Sequence, residues 1–134
     1  MEDDGVACRR AVRIVKDMRF GKAHEQAVTR FEIVGTVQLG LAAMPNQPHR
    51  ADLKKLLVHR KARGLGVSRL LMAAAEREAL AHGRDVLVLD TATGSPAEAL
   101  YERFGWQRVG VIPRYALMPD GSDCATTFFY KSLT

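Results

Sequence analysis

The chain has 134 residues, 47% hydrophobic and 26% charged, with 20 Lys and Arg against 15 Asp and Glu for a formal net charge of +5. These proportions are those of one globular domain, and no apolar run approaches the roughly 18 to 20 residues of a membrane helix, so a transmembrane span is excluded. The positive balance favours an anionic partner and does not by itself choose between a phosphorylated cofactor and nucleic acid.

The N-terminus carries neither the cationic region nor the apolar region of a secretory signal, so a cytoplasmic location is expected. Cys8 and Cys124 are too few for a disulfide scaffold or a metal site and read as reduced thiols. No repeat or low-complexity tract interrupts the chain, so residues 1 to 134 read as a single domain. Its first 30 residues mix Arg9, Arg10, Arg13, Lys16, Arg19, Lys22 and Arg30 with few large apolar side chains, predicting a loose helix or a partly disordered segment.

From Phe31 the pattern sharpens. Phe31 to Leu41 and Ala51 to Val58 are strand-like, and Met44-Pro45-Asn46-Gln47-Pro48 supplies the turn of a hairpin. Arg63-Gly64-Leu65-Gly66 follows, then a helix from Val67 to about His82, with Val67, Leu70, Leu71 and Ala74 at helical spacing and Gly83 as its stop. Val86 to Leu89 is the uninterrupted apolar run of a strand buried on both faces, ending in Asp90. Strand, glycine turn, helix and strand make a βαβ unit. Ser95-Pro96-Ala97-Glu98 predicts a helix start with Ser95 as N-cap and Glu98 closing a capping box. Ala97, Leu100, Tyr101 and Phe104 line one face of that helix, and Gly105 ends it. Trp106 to Ile112, Tyr115 to Leu117 and Thr126 to Leu133 then read as antiparallel strands around a Pro119-Asp120-Gly121 turn.

A strand entering Arg63-Gly64-Leu65-Gly66-Val67-Ser68 and then a helix is suited to a phosphate, because glycines let the backbone approach closely and the first helical turn presents unpaired N–H groups. A tight strand-to-helix turn explains the same glycines without a ligand. The loop is neither a Walker sequence nor a GxGxxG fingerprint. Neither a Gly-x-Ser-x-Gly elbow nor a Cys/His pair at useful spacing is present, so an acyl-enzyme is not expected and direct transfer is preferred. His24, His49, His59 and His82 show no metal-ligand spacing, and no metal is assigned.

Taken together, the strand, the Arg-x-x-Gly-x-small loop, the helix, the next strand and a helix bearing Ala-x-x-Leu-Tyr ahead of Phe-Gly-Trp resemble the GNAT superfamily of acetyltransferases over Leu56 to Trp106. Val-Leu-Asp-Thr-x-x-Gly-Ser-x-Ala-Glu-Ala-x-Tyr at 88 to 101, with Pro-Asp-Gly at 119 to 121, is similar to the tabtoxin-resistance group in particular. The resemblance implies an α/β (α+β) fold, with a mixed, mostly antiparallel sheet, a central βαβ unit and flanking helices. It also implies an N-acetyltransferase that uses acetyl-CoA as cosubstrate and moves the acetyl group directly to an amine of a small molecule or protein. Arg63, Gly64, Leu65, Gly66, Val67 and Ser68 then hold the pyrophosphate, Leu56, Leu57 and Val58 hydrogen-bond the pantetheine arm, and Tyr101 faces the thioester sulfur. Asp90 and Asp52 are the base candidates, with bland alternatives as a strand-end residue and a solvated charge beside Lys54.

The chain departs from the family at Ser68, where Gly or Ala is usual, and at Gly94, where many members carry Asn. The family also places one more strand and two helices ahead of Ile33, at one wall of the acceptor cleft. Their weak counterpart here leaves sheet surface to cover, so a homodimer is expected. It also motivates a second reading, a non-catalytic acyl-CoA-binding domain. A nucleic-acid module using Arg9 to Arg30 and His59 to Arg63 lacks aromatic interleaving, so nucleic acid is not expected as a partner.

Overall fold

The computed structural model describes residues 11–20 and 30–134, with side chains described from Ile33 onward. Cys8, Arg9, Arg10, Lys22 and His24 lie outside the described residues. Among the described residues six strands form one sheet: β1 (Ala11–Phe20), β2 (Arg30–Leu41), β3 (Arg50–Val58), β4 (Val86–Ala92), β5 (Gln107–Leu117) and β6 (Asp123–Ser132), in the order β1-β2-β3-β4-β6-β5. All neighbours are antiparallel except β3 and β4, which run parallel as the ends of a βαβ crossover through helix α1 (Val67–Ala81). A short helix, α2 (Pro96–Arg103), connects β4 to β5. This is the mixed α and β architecture expected from the sequence.

Four local readings are corrected. Residues 11–20 are a strand, not a loose helix, and pair with β2 from Ala11–Gly40 to Phe20–Arg30. Val12, Ile14, Met18 and Phe20 recur at even positions, a period of two that the density of basic residues obscured. β4 does not end at Asp90, because Thr91 and Ala92 continue the ladder opposite Thr127 and Thr126. The strands predicted at Trp106–Ile112 and Tyr115–Leu117 are one strand, β5, interrupted by a register shift between Ile112 and Ala116 where Pro113 cannot donate and Arg114 adopts φ +53°. Finally, the capping box does not form. Ser95 Oγ lies 3.3 Å from Thr91 Oγ1, while the Glu98 carboxylate accepts from the Thr127 hydroxyl. Thr127 is fully buried, and Glu98 gives its hydroxyl an acceptor inside the fold.

The core lies between the sheet and the two helices. Cross-strand partners such as Leu39 with Leu53 and Leu89 with Phe129 present one face, against which α1 buries Val67, Leu71, Met72, Ala75 and Ala79. A large apolar side chain buried in this way contributes about 1.5–3 kcal/mol. Gly35 allows the close approach of α1, since a Cβ there would fall 2.8 Å from Val67 Cγ1 and 2.9 Å from Leu71 Cδ1. Tyr101 of α2 packs between Trp106 and Phe129, at centroid distances of 6.2 and 5.8 Å.

Candidate functional site

β3 and β4 pair only from Arg50–Val86 to Asp52–Val88. Beyond that point the parallel strands part, and the edge of β3 from Leu53 to Val58 has no ladder partner on the β4 side. A β-bulge marks the divergence: Thr36 and Gln38 of β2 face Leu57 and Lys54 of β3, so β3 carries one extra residue there. Lys55 lies within the bulge with φ +52°, an uncommon conformation for a side chain that is not glycine.

A cleft of about 860 Å³ opens in the resulting wedge. Its walls are Leu56, Leu57 and Val58 on one side and Pro96, Ala97, Leu100 and Tyr101 of α2 on the other. Its floor is the loop into α1, where Gly64 and Gly66 adopt φ +80° and +76°. A Cβ at either position would meet nothing within 4 Å, so conformation rather than space calls for glycine. No side chain caps α1 and no acidic residue occupies its first turn. Its leading N–H groups, on Val67 and Ser68, therefore border the cleft without a side-chain acceptor. Among the described residues Arg63, Arg69 and Arg103 line the same cleft and no acidic residue does, which makes its lining positive. Arg69 is held over the Phe104 ring at 5.0 Å. Leu65, by contrast, is 55% exposed and does not line the cleft.

A smaller cavity of about 150 Å³ occupies the same wedge, lined by Leu53, Lys54, Lys55, Leu56, Leu89, Asp90 and Tyr101. Leu56 and Tyr101 border both spaces. Tyr101 is 7% exposed, and its hydroxyl makes no hydrogen bond among the described residues. Burial first, and the negative charge of Asp90 second, push its phenol above the usual value of 10. The group is thus a protonated donor at neutral pH with no acceptor among the described residues. Asp90 accepts a 2.7 Å hydrogen bond from the Thr126 hydroxyl at Oδ2. Asp52 lies elsewhere, ion-paired to Arg50 and outside both cavities.

The structure therefore gathers Leu56, Leu57, Val58, Arg63, Gly64, Gly66, Val67, Ser68, Tyr101 and Asp90 around one wedge and leaves Leu65 and Asp52 apart from it. Sequence reading missed Lys54, Lys55, Arg69 and Arg103. Arg69 and Arg103 were legible as cations flanking the two predicted helix ends, but Lys55 depends on a bulge that no local pattern announces. His59 and His82 serve the backbone, with His59 Nδ1 accepting from the Lys61 N–H and His82 Nδ1 2.8 Å from the Glu78 carbonyl. Among the described residues no group of three or more His, Cys, Asp or Glu is placed to hold a metal, and no helix is long and apolar enough to cross a membrane.

Residues 23–108 match a family model described as the acetyltransferase (GNAT) domain. Solved structures share the fold. YncA of Salmonella typhimurium, assigned as an acetyltransferase and solved with its cofactor acetyl-CoA, is 20% identical with a TM-score of 0.69, the match covering 77% of this chain and 60% of that one. An N-acetyltransferase from Staphylococcus aureus Mu50 is 21% identical with a TM-score of 0.69, over 78% and 66% of the two chains. The ribosomal-protein-alanine N-acetyltransferase of Brucella melitensis is 22% identical with a TM-score of 0.68, over 98% of this chain and 72% of that one. At such identities the likeness is one of fold. The chain spans 60% to 65% of the length of the first two structures it matches.

Proposed function

The chain belongs to the GNAT acetyltransferase domain family, and from that premise we propose that it is an acetyl-CoA-dependent N-acetyltransferase acting on an amine in the cytoplasm. The observation that carries the proposal is the wedge itself. A positive cleft with an uncapped helix start on one side meets, at Tyr101, a small cavity holding a carboxylate. Bound acetyl-CoA would supply an activated acetyl group and a thiolate leaving group.

In this reading Arg63 and the N–H groups of Gly64, Gly66, Val67 and Ser68 hold the pyrophosphate, with Arg69 and Arg103 adding charge further along the cleft. The unpaired edge of β3 at Leu56, Leu57 and Val58 takes the pantetheine amides as another strand would, which fixes the thioester in the wedge. The Tyr101 hydroxyl donates toward the departing sulfur. Asp90, directly or through a water, accepts the proton that an incoming amine must lose. Asp52 is the weaker base candidate, since Arg50 already engages it. The likeness of residues 88–101 to the tabtoxin-resistance group supports a small-molecule amine over a protein amine.

The test begins with cofactor binding. Acetyl-CoA at about 100 times its dissociation constant adds roughly 2.7 kcal/mol to stability, read as a higher melting temperature. Arg63→Glu places a negative charge beside the expected pyrophosphate and should weaken calorimetric acetyl-CoA affinity about tenfold or more while leaving the melting temperature of the free protein nearly unchanged. Unaltered affinity in that variant would remove the loop from the site. A purely acyl-CoA-binding domain is the competing reading. Binding without turnover on any amine would favour it.

A further inference from the structure

We propose that Thr126 is a positioning residue for acetyl transfer, its hydroxyl holding Oδ2 of Asp90 so that Oδ1 is left to take the acceptor's proton. This rests on the reading of Asp90 as the base at the wedge. β4 loses β3 as a partner beyond Asp52–Val88, so the strand that carries Asp90 is held there from one side only. That side is β6, whose ladder runs on through Asp90–Phe128, Thr91–Thr127 and Ala92–Thr126, with the Thr93 N–H donating to the Ala125 carbonyl at 2.9 Å. Directly opposite Asp90 stands Phe128, its ring edge-on to Tyr115 with centroids 5.8 Å apart, and that side chain has no hydrogen bond to offer a carboxylate. Alternation puts Thr126, two residues from Phe128, on the same face and diagonal to Asp90. Its hydroxyl reaches Oδ2 at 2.7 Å.

Asp90 is exposed, whereas Thr126 is 4% exposed and set in the middle of the sheet. Among the described residues this is the one hydrogen bond to the Asp90 carboxylate, which without it is free to turn between rotamers. The Thr126 hydroxyl also lies 3.0 Å from the Thr91 carbonyl oxygen, and a purely structural threonine would be satisfied by that carbonyl alone. A hydroxyl carries a single hydrogen. Were it aimed at Thr91, an oxygen lone pair would face the ionised carboxylate at 2.7 Å, so the charge-assisted bond to Asp90 prevails. During transfer Oδ1 takes the proton that nitrogen loses as the C–N bond forms, and the sulfur gains one at Tyr101 as the C–S bond breaks. Solvent then removes a proton from Asp90 and restores one to Tyr101. Once the carboxyl is neutral, the hydroxyl hydrogen is free to turn to the Thr91 carbonyl with no heavy atom moving. The buried hydroxyl thereby keeps an acceptor in both states of the base, as a group that cycles at every turnover requires.

The experiment uses the full chain, acetyl-CoA and a panel of primary amines, with release of the thiol as the readout and hydrolysis by water as the measured reaction if no amine reacts. Thr126→Val keeps a branched side chain and removes the hydroxyl, and Thr126→Ala removes the same hydroxyl should the valine variant not fold. Either should lower kcat about tenfold with KM for acetyl-CoA within a few-fold, whereas Thr126→Ser, which keeps the hydroxyl, should restore kcat to near the wild-type value. A threonine that only supports the sheet would slow the enzyme through general damage, and that damage would recur whatever stands at position 90. The deciding measurement is therefore the pair of changes together: in an Asp90→Asn background, removing the Thr126 hydroxyl should change kcat less than about twofold. Wild-type kcat without the hydroxyl, a loss that serine does not restore, or an equal loss in the Asp90→Asn background overturns the proposal. Asp90→Asn with normal turnover overturns the reading of Asp90 as the base and this inference with it. Asp90→Asn impaired beside an unimpaired Thr126→Val overturns the inference alone. A chain that releases no thiol from acetyl-CoA with any amine or with water has no step for either residue to assist, and both readings fall.

Discussion

The Tyr101 hydroxyl has no hydrogen bond among the described residues and borders both cavities, where water or a ligand rather than a core partner reaches it. Tyr101→Phe keeps the ring between Trp106 and Phe129, so the melting temperature should hold. Turnover should fall about 10²-fold to 10⁴-fold, the range for a positioned general acid, with acetyl-CoA affinity within a few-fold. A stable variant with normal turnover would return Tyr101 to the core. The pH dependence has a definite sign. Because the folded phenol is raised above 10, its contribution to stability is complete below the unfolded value and is lost as pH rises from there through the folded one. The variant should lack that alkaline loss. In the sequence, helical spacing alone placed Tyr101 on an apolar stripe, and only the resemblance set it at a sulfur. Asp90 and Asp52 looked equivalent as strand carboxylates. They are separated by where β3 and β4 part, a property of two strands far apart in the chain.

Helix α2 is set by Glu98, which reaches the buried Thr127 hydroxyl and pairs with Arg108 at 3.3 Å, tying the helix start to β6 and β5 one turn before Tyr101. The Thr127 hydrogen bond leads in holding its carboxyl below the usual 4.5, against a smaller opposing effect of burial, with Gly94 and Arg108 assisting. A depressed carboxyl stabilises above its unfolded value and loses that contribution as pH falls through the folded one. Glu98→Gln should therefore lower the melting temperature at neutral pH, and the gap to wild type should close on acidification. A gap independent of pH would show that the charge is irrelevant. The sequence announced this helix through Ser-Pro-Ala-Glu but misassigned the partner, because a capping box is read from four neighbours while Thr127 lies 29 residues further on. Helix α1 depends likewise on a distant glycine. Gly35→Ala would drive a Cβ against Val67 and Leu71 and to 3.2 Å from the Leu57 carbonyl oxygen. It should cost about 1–3 kcal/mol in denaturant unfolding. Since Val67 opens the helix beneath the cleft, acetyl-CoA affinity should fall as well. Stability and affinity both unchanged would mean that α1 shifts freely on the sheet.

Across the whole molecule, the βαβ unit and the later antiparallel strands were legible because their apolar runs are bounded by glycine and proline. β1 was not, because its alternation lies among arginines and lysines and its status as a strand depends on pairing with β2. That difference relocates the expected self-association. The strand edge thought to be bare beside β2 is occupied by β1, whereas β5 closes the opposite end of the sheet with Val109 65% and Leu117 71% exposed and Val111, Ile112 and Tyr115 also accessible. Pro113, the bulges and Arg114 disfavour a continuous ladder to a second sheet, so contact there should be made by side chains more than by backbone. Apolar surface so concentrated along one edge is expected to draw two copies together weakly, giving a light-scattering mass that rises with protein concentration. Val109→Lys/Leu117→Lys replaces the two most exposed apolar side chains of that edge by charges that would face like charges in a symmetric pair. It should hold the protein monomeric at every concentration with the melting temperature at low concentration unchanged, since neither side chain is buried in the monomer. A wild type that stays monomeric at high concentration ends the expectation. Association that persists in the double variant would move the interface away from β5, towards surfaces such as that around Ile33, itself 65% exposed.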